Sequence, residues 1–179
     1  MAIRAILWHR RVVSLPGRGA ETTAAPTVRQ RDDGGGNMEF RELDKDNWLE
    51  CAKLWTKEDS YIAPNLYSIA EAQFYPKAVS RAIYEGGRMV GYVLHGGDED
   101  QEDWYIIDRL MIAAPFRRRG LASEAIKAVF ALAEAAGRYS IVRSSTEPDN
   151  AAMRRTFERN GFATDGEMDG DEIVYSRAL

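Results

Sequence analysis

Cysteine is nearly missing: Cys51 is the only one in 179 residues. A lone cysteine excludes an internal disulfide and any zinc site built from several thiolates. With no disulfide framework, a reducing, cytoplasmic compartment is the expectation. Histidine is almost as scarce. His9 and His95 are the two in the chain, and neither stands with a recognisable nucleophile partner. Long apolar runs are absent too, none approaching the roughly 18 residues of a membrane span. Nor is there a basic excess: 24 Lys and Arg face 28 Asp and Glu, for a net charge of -4. That argues against a general nucleic-acid binder, which usually shows a basic face. What remains is an ordinary globular mixture, 45% hydrophobic and 29% charged, long enough for one domain with a real core.

The charge is unevenly spread. Residues 1–37 hold six arginines and three acids, a net +3, which leaves -7 for residues 38–179. The first part ends in "RDDGGGN", a run of turn formers, and Pro16, Gly17, Gly19 and Pro26 break any amphipathic helix within it. Residues 1–37 therefore read as a flexible extension, or as an upstream stretch translated from a misplaced start codon. A targeting peptide is the competing reading.

Residues 38–179 alternate strands with helices. "MEFREL" alternates apolar and polar side chains and predicts a strand. "DKDNWLECAKLWTK" follows as a helix with Trp48, Leu49, Ala52 and Trp55 at helical spacing, and Cys51 reads there as a small apolar residue. A second short helix carries Leu66, Ile69, Ala70 and Phe74 on one face and stops at Pro76. Two extended runs flank Glu85-Gly86-Gly87-Arg88, a hairpin turn whose glycines suit left-handed dihedrals. "DEDQED" then makes a solvated turn, and "WYIIDRLMIA" is a nearly continuous apolar run, as in a strand buried on both faces. After a long helix come the strand "YSIVRSST", the short helix "DNAAMRRTFERNG" and a closing pair of strands around Gly170. This order predicts a mixed sheet with helices on both faces.

The long helix raises the question of function. In "APFRRRGLASEAIKAVFALAEAAG", Ala122, Ala125, Ile126, Val129, Phe130, Ala133 and Ala136 recur at three and four residues, so one face is core and Gly137 is the stop. Its start exposes unpaired N–H groups and the positive end of the helix dipole. Gly120 lets a bulky anion approach the backbone, and the arginines beside it add charge that phosphate can use. A pyrophosphate cradle is one reading; a surface cluster of arginines is the other, and charge alone does not separate them.

Spacing does. Arg117-x-x-Gly120-x-Ala122, between a buried strand and a helix, resembles the acetyl-coenzyme A signature of GNAT N-acetyltransferases. "EPDNAAMRRTFERNGF" resembles that family's later block, with Asn150, Met153, Phe157, Glu158, Gly161 and Phe162 in register. "IAPNLYSIAEAQFYP", "AIYEGGRMVGYVLHG" and "STEPDN" look closest to bacterial spermine/spermidine N-acetyltransferases. The resemblance covers residues 38–179. It implies the GNAT fold, an α/β (α+β) domain with a mixed, mostly antiparallel sheet of about seven strands, splayed between strands 4 and 5, with helices on both faces. It implies acetyl-coenzyme A as donor, no metal, and a small polyamine-like amine as acceptor. An antibiotic amine, an amino acid, a protein amine, or a non-catalytic acetyl-coenzyme A-binding module are the alternatives. Neither nucleic acid nor membrane is an expected partner. Relatives often pair, so a homodimer is allowed for, although no interface is legible.

Site residues follow from the same resemblance. Backbone groups near Met111 and Ile112 would hydrogen-bond the pantetheine arm. Arg117, Arg118, Arg119, Gly120, Leu121 and Ala122 would wrap the pyrophosphate, and Asn150 would touch the cofactor from the next helix. Arg154 and Arg155 would reach the nucleotide phosphates, or else form a solvated helix face. Asp108 interrupts an apolar strand, where a carboxylate is expensive unless paired or solvated. It is the first candidate for base or amine anchor, against a plain ion pair with Arg81, Arg88 or Arg109. Glu147 is the second catalytic candidate, against a helix-start charge. Glu71 and Tyr67 are candidates for substrate binding, with Tyr61 at the entrance. Phe157 stands where many relatives carry a tyrosine as general acid; Tyr139 and Tyr175 are the hydroxyls considered in its place.

Overall fold

The structure, a computed structural model, describes residues 38–57 and 61–179; the reading of residues 1–37 as an extension lies outside them. Seven strands form one sheet in the order β1-β2-β3-β4-β5-β7-β6. The strands are β1 (Met38–Glu42), β2 (Ala78–Glu85), β3 (Arg88–Gly97), β4 (Trp104–Ile112), β5 (Ile141–Thr146), β6 (Met168–Asp169) and β7 (Glu172–Ala178). Four α-helices accompany them: α1 (Trp48–Leu54), α2 (Asn65–Glu71), α3 (Leu121–Ala136) and α4 (Ala151–Arg159). Only β4 and β5 run parallel; the other neighbours are antiparallel. The mixed α/β sheet expected from the element order is the one observed.

Local chemistry explains most boundaries. The alternation in β1 buries Met38 and Phe40 and leaves Arg41 exposed. Gly86 and Gly87 sit at φ +57° and +82°, the left-handed pair that a two-residue hairpin turn needs. Asp98 makes the "DEDQED" turn by accepting from the Asp100 and Gln101 N–H groups at 2.9 and 2.8 Å. Gly137, at φ +65°, ends α3 as a left-handed cap.

Two apolar layers lie against the sheet. On one face α3 buries Leu121, Ala125, Ile126, Ala128, Val129, Phe130 and Ala133, packed with Ile83, Val93, Ile107 and Phe157. Of the face expected for α3, Ala122 is only partly buried and Ala136 is exposed where the helix runs off the sheet. On the other face Cys51 and Ala72 pack with Tyr84, Met89, Tyr92 and Leu94. Cys51 is fully buried there, and burial pushes its thiol up to about 12.

The short helices α1 and α2 correct the sequence reading. Trp48, Leu49, Leu66 and Phe74, placed on buried faces by their spacing, are exposed. The inward residues of α2 are Asn65 and Ser68. Asn65 Nδ2 donates to the Cys51 carbonyl at 2.8 Å, which ties the small polar face of α2 inward against α1. With two turns each, these helices take their orientation from tertiary contacts, that bond together with the packing of Leu54, Trp55 and Ile69 against the core, rather than from periodicity alone.

Close approach between β3 and β4 fixes the strand that carries the candidate site. A Cβ on Gly91 would lie 2.3 Å from the Met111 carbonyl oxygen and 3.0 Å from Ile112 Cδ1. Gly91→Ala is therefore expected to destabilise the fold by about 1–3 kcal/mol. Denaturant titration should show a lower midpoint at unchanged slope; an unmoved midpoint would mean that β3 and β4 can separate freely here.

Candidate active site

The site begins where two strands part. The parallel ladder of β4 and β5 runs only from Trp104–Ile141 to Ile106–Arg143. Ser144 then donates its hydroxyl to the Ile107 carbonyl at 2.7 Å, closing the apex of the fork. Past that point β4 is bulged: Leu94 of β3 faces Arg109 while His95 faces Ile107, which leaves Asp108 as the extra residue. Between the diverging strands opens a cleft of ≈ 770 Å³. Asp108 to Ile112 line one side, Ser144 to Thr146 the other, and the start of α3 and the inner face of α4 close its length.

At one end is the loop that enters α3. Arg118 adopts φ +61° and Gly120 φ +87°. A left-handed arginine is uncommon and costs energy that the surrounding structure must hold. The result is a bend in which Gly120, Leu121, Ala122 and Ser123 line the cleft at the helix start. Helix geometry leaves the first N–H groups of α3 without intrahelical acceptors, and the macrodipole makes this end positive. A Cβ on Gly120 would meet only Glu124 Oε1, at 3.9 Å, so the space before it is open.

The three arginines divide their work. Arg117 and Arg118 line the cleft, and Arg117 Nε donates to the Ile112 carbonyl at 2.8 Å, which ties the loop to the end of β4. Arg119 is not among the lining residues: its guanidinium pairs with Glu85 at 2.8 Å. Asn150 lines the cleft as the cap of α4, its Oδ1 accepting from the Met153 N–H at 3.1 Å. On α4, Arg155 lines the cleft, whereas Arg154 Nε is bonded to the Tyr175 hydroxyl.

At the other end the charge is reversed. The Asp108 side chain is 1% exposed, and Arg109 Nη1 reaches its Oδ1 at 2.9 Å. Its Oδ2 is buried with no partner among the described residues. Burial raises the Asp108 carboxyl to about 6, with Glu71 and Asp169 adding to the shift and Arg109 opposing it. The ion pair with Arg109 and an unpartnered oxygen thus coexist on one carboxylate. Glu172, the first residue of β7, is the acid that sequence reasoning missed. It lines the cleft, accepts from Ser145 Oγ at 2.7 Å, and is held above the usual carboxylate range by burial. Inside "DGDEIVYS" it reads as one more hairpin charge, and no local pattern marks it out.

The remaining candidates scatter. Tyr61 lines the cleft, but Tyr67 does not and is half exposed. Glu71 is not a lining residue; its Oε2 lies 3.6 Å from Arg109 Nη2, behind the Asp108 pair. Glu147 is also outside the lining, and its backbone carbonyl accepts from Asn150. Phe157 is fully buried and stacked on Tyr175 at 5.3 Å. Tyr139 packs edge-on against Tyr105, away from the cleft, and Tyr175 does not line it either. Among the described residues no group of three His, Cys, Asp or Glu side chains is arranged to hold a metal, and no helix is long and apolar enough to cross a membrane.

Comparison with known proteins agrees with this geometry. No curated protein matches the chain. Among solved structures it is similar to an acetyltransferase from Agrobacterium tumefaciens str. C58, at 18% identity and TM-score 0.67, over 91% of this chain and 100% of that one. It is similar to RimJ of Mycobacterium smegmatis in complex with CoA-disulfide, at 15% identity and TM-score 0.65, over 87% and 86%. A third is an aminoglycoside acetyltransferase in complex with coenzyme A, at 16% identity and TM-score 0.65, over 79% and 94%. These likenesses establish a shared fold. The sequence model of the Acetyltransferase (GNAT) family matches residues 39–162. Since that match runs from the first strand to the end of the second cleft helix, the chain belongs to the GNAT acetyltransferase family.

Proposed function

We propose that this protein transfers an acetyl group from acetyl-coenzyme A to a primary amine of a small polyamine-like acceptor, of the spermidine or spermine type. The observation that carries the reading is the buried, half-partnered Asp108 at the bulge of β4. A cleft polarised from the positive start of α3 to an acidic end supports it.

The residues fit the donor. The open space in front of Gly120 and the positive helix start suit a diphosphate. The parted edges of β4 and β5 leave main-chain groups near Met111 and Ile112 to pair with the amides of a pantetheine arm. Acetyl-coenzyme A would supply the activated acyl group; everything else falls to side chains and backbone of this chain.

The acceptor sets the harder demand. An alkylamine has a pKa near 10.4, so at pH 7 its nucleophilic form is disfavoured by about 4–5 kcal/mol. In this reading Asp108 takes that proton. Its pKa of about 6 leaves it mostly ionised at pH 7, yet far more basic than an exposed aspartate. In this reading Glu172, which lines the same cleft, holds an ammonium directly or through water. Around Arg109 lie Glu71, Asp108 and Glu172, so the acidic end carries more negative than positive charge. A polycation is suited to it, and for this reason a polyamine is favoured over a neutral-chain amine.

Phe157 favours a second reading. It provides no hydroxyl to protonate the departing thiolate. A coenzyme A-binding module without turnover would bind the nucleotide saturably and release no thiol with any acceptor. A thiol-release assay over spermidine, spermine, an aminoglycoside, an amino acid and a peptide amine separates the readings. Polyamines should turn over fastest. Turnover of another acceptor with none of either polyamine would remove the polyamine reading.

Two further outcomes are expected. With Asp108 as base, activity should fall as pH drops below about 6, because protonation removes the acceptor of the amine proton. Asp108→Asn should lower kcat by about 10²–10⁴-fold and abolish that acidic limb; a retained limb would assign Asp108 a structural part. Gly120→Val should cost the fold about 1–2 kcal/mol, since φ +87° is strained for any side chain. Its loss of coenzyme A affinity should be larger than this, because the new side chain enters the open space of the cleft. Calorimetry compared with melting temperature measures the two losses separately.

A further inference from the structure

A second cavity, of ≈ 310 Å³, lies at the far end of α3. It is lined by Lys77, Arg81, His95, Tyr105, Arg138 and Tyr139 together with the last turn of the helix. With 16 residues in α3, its start is about 24 Å from its end, so this cavity is remote from the acyl-transfer cleft.

Its polar groups are unusual for the edge of a core. Arg81 is 1% exposed, and its one carboxylate contact among the described residues is to Glu42 at 3.5 Å, a residue itself 57% exposed. Its Nε and Nη1 have no partner. His95 is equally buried; its Nδ1 lies 2.8 Å from the Tyr105 hydroxyl, and its Nε2 has no partner. Burial, reinforced by Arg81, pushes the imidazole down to about 3, so the ring is neutral. In the tautomer in which the Tyr105 O–H donates to Nδ1, the ring proton sits on Nε2 and faces no acceptor among the described residues. The orphaned Arg81 Nε and Nη1 are donors in any case, and in this tautomer His95 Nε2 is a third. The Tyr139 hydroxyl, which accepts from Arg138 Nη2 at 2.5 Å, has its own proton to give as well.

The charge points the same way. Among the described residues three cations line the cavity, and no aspartate or glutamate does. The carbonyl end of α3 offsets at most about half a charge. Water would occupy such a space but would leave the buried guanidinium with only the exposed Glu42, on its Nη2 side, as counter-charge. We infer that this cavity is a binding site for a small oxyanion, a carboxylate or a phosphate, distinct from the acetyl-transfer cleft.

The test follows the His95 ring by ¹⁵N NMR in the full-length protein. Inorganic phosphate, acetate and succinate are titrated separately, with ionic strength held by sodium chloride. A parallel series contains saturating coenzyme A, so that the start of α3 does not compete for phosphate. A saturable shift at Nε2 is expected, in both series, with affinity at least tenfold weaker in Arg81→Gln. Should Arg81→Gln not fold, Lys77→Ala and Arg138→Ala decide, each weakening binding several-fold. A response to phosphate alone, or to carboxylates alone, supports the site and identifies its source. No saturable shift with any probe overturns it, as does an affinity unchanged in all the variants that fold.

Discussion

The early end of one hydrogen-bond ladder governs this molecule. β4 and β5 pair for three residues and then separate, although both continue. Unpaired backbone inside a sheet is costly, since each buried N–H or C=O without a partner loses roughly the worth of a hydrogen bond. Two local devices hold the gap open. Ser144 clamps the apex through the Ile107 carbonyl, and the extra residue at Asp108 shifts the register of β4 against β3. A sheet split in this way presents main-chain donors and acceptors in its middle, which is what an elongated amide-bearing ligand needs.

The same bulge explains why an acid is tolerated inside an apolar strand. On a regular strand Asp108 would lie among Ile106, Ile107 and Leu110. As the additional residue it meets Arg109 on one side and the cleft on the other. Burial and a guanidinium pull its carboxyl in opposite directions, and burial wins. At the other pole the guanidinium groups are partly engaged by the protein itself. Arg119 is held by Glu85, and Arg117 donates to the Ile112 carbonyl. The bend through left-handed Arg118 and Gly120 is thus the more constant source of positive potential: backbone dipoles there keep their direction whatever the side chains do.

Much of the fold was legible because it rests on local rules. Period-two alternation placed β1, the Gly86-Gly87 pair placed the β2–β3 turn, and the apolar stripe on α3 gave five of its buried positions, Ala125, Ile126, Val129, Phe130 and Ala133. Asp108 was legible for the opposite reason, as a violation of its strand. What escaped depends on long-range contacts. α1 and α2 are two turns each, and tertiary contacts such as the bond from Asn65 to the Cys51 carbonyl decide which of their residues turn inward. Glu172 escaped because its burial and its hydrogen-bond partner Ser145, 27 positions away, arise only from the tertiary fold. Arg119 carries the same sequence signal as Arg117 and Arg118, and only the position of Glu85 across the surface distinguishes it.

Phe157 shows how packing constrains the proposed chemistry. The ring is fully buried between Phe162 and Tyr175, with centroids 5.3 Å from each. A hydroxyl at that position would need a hydrogen-bond partner or would incur a desolvation cost of about 1–3 kcal/mol. The aromatic stack favours a plain phenyl ring as part of the cleft wall. Protonation of the leaving group then has no dedicated tyrosine, and this matters least for a thiolate, whose conjugate acid has a pKa near 8.5. The amine is the unequal partner, lying more than three pKa units from its reactive form at neutral pH. A site with a strong demand at the nucleophile and a weak one at the leaving group can do without the tyrosine, provided its carboxylate is basic enough. In the proposed reaction Asp108, its carboxyl raised by burial, would meet this condition.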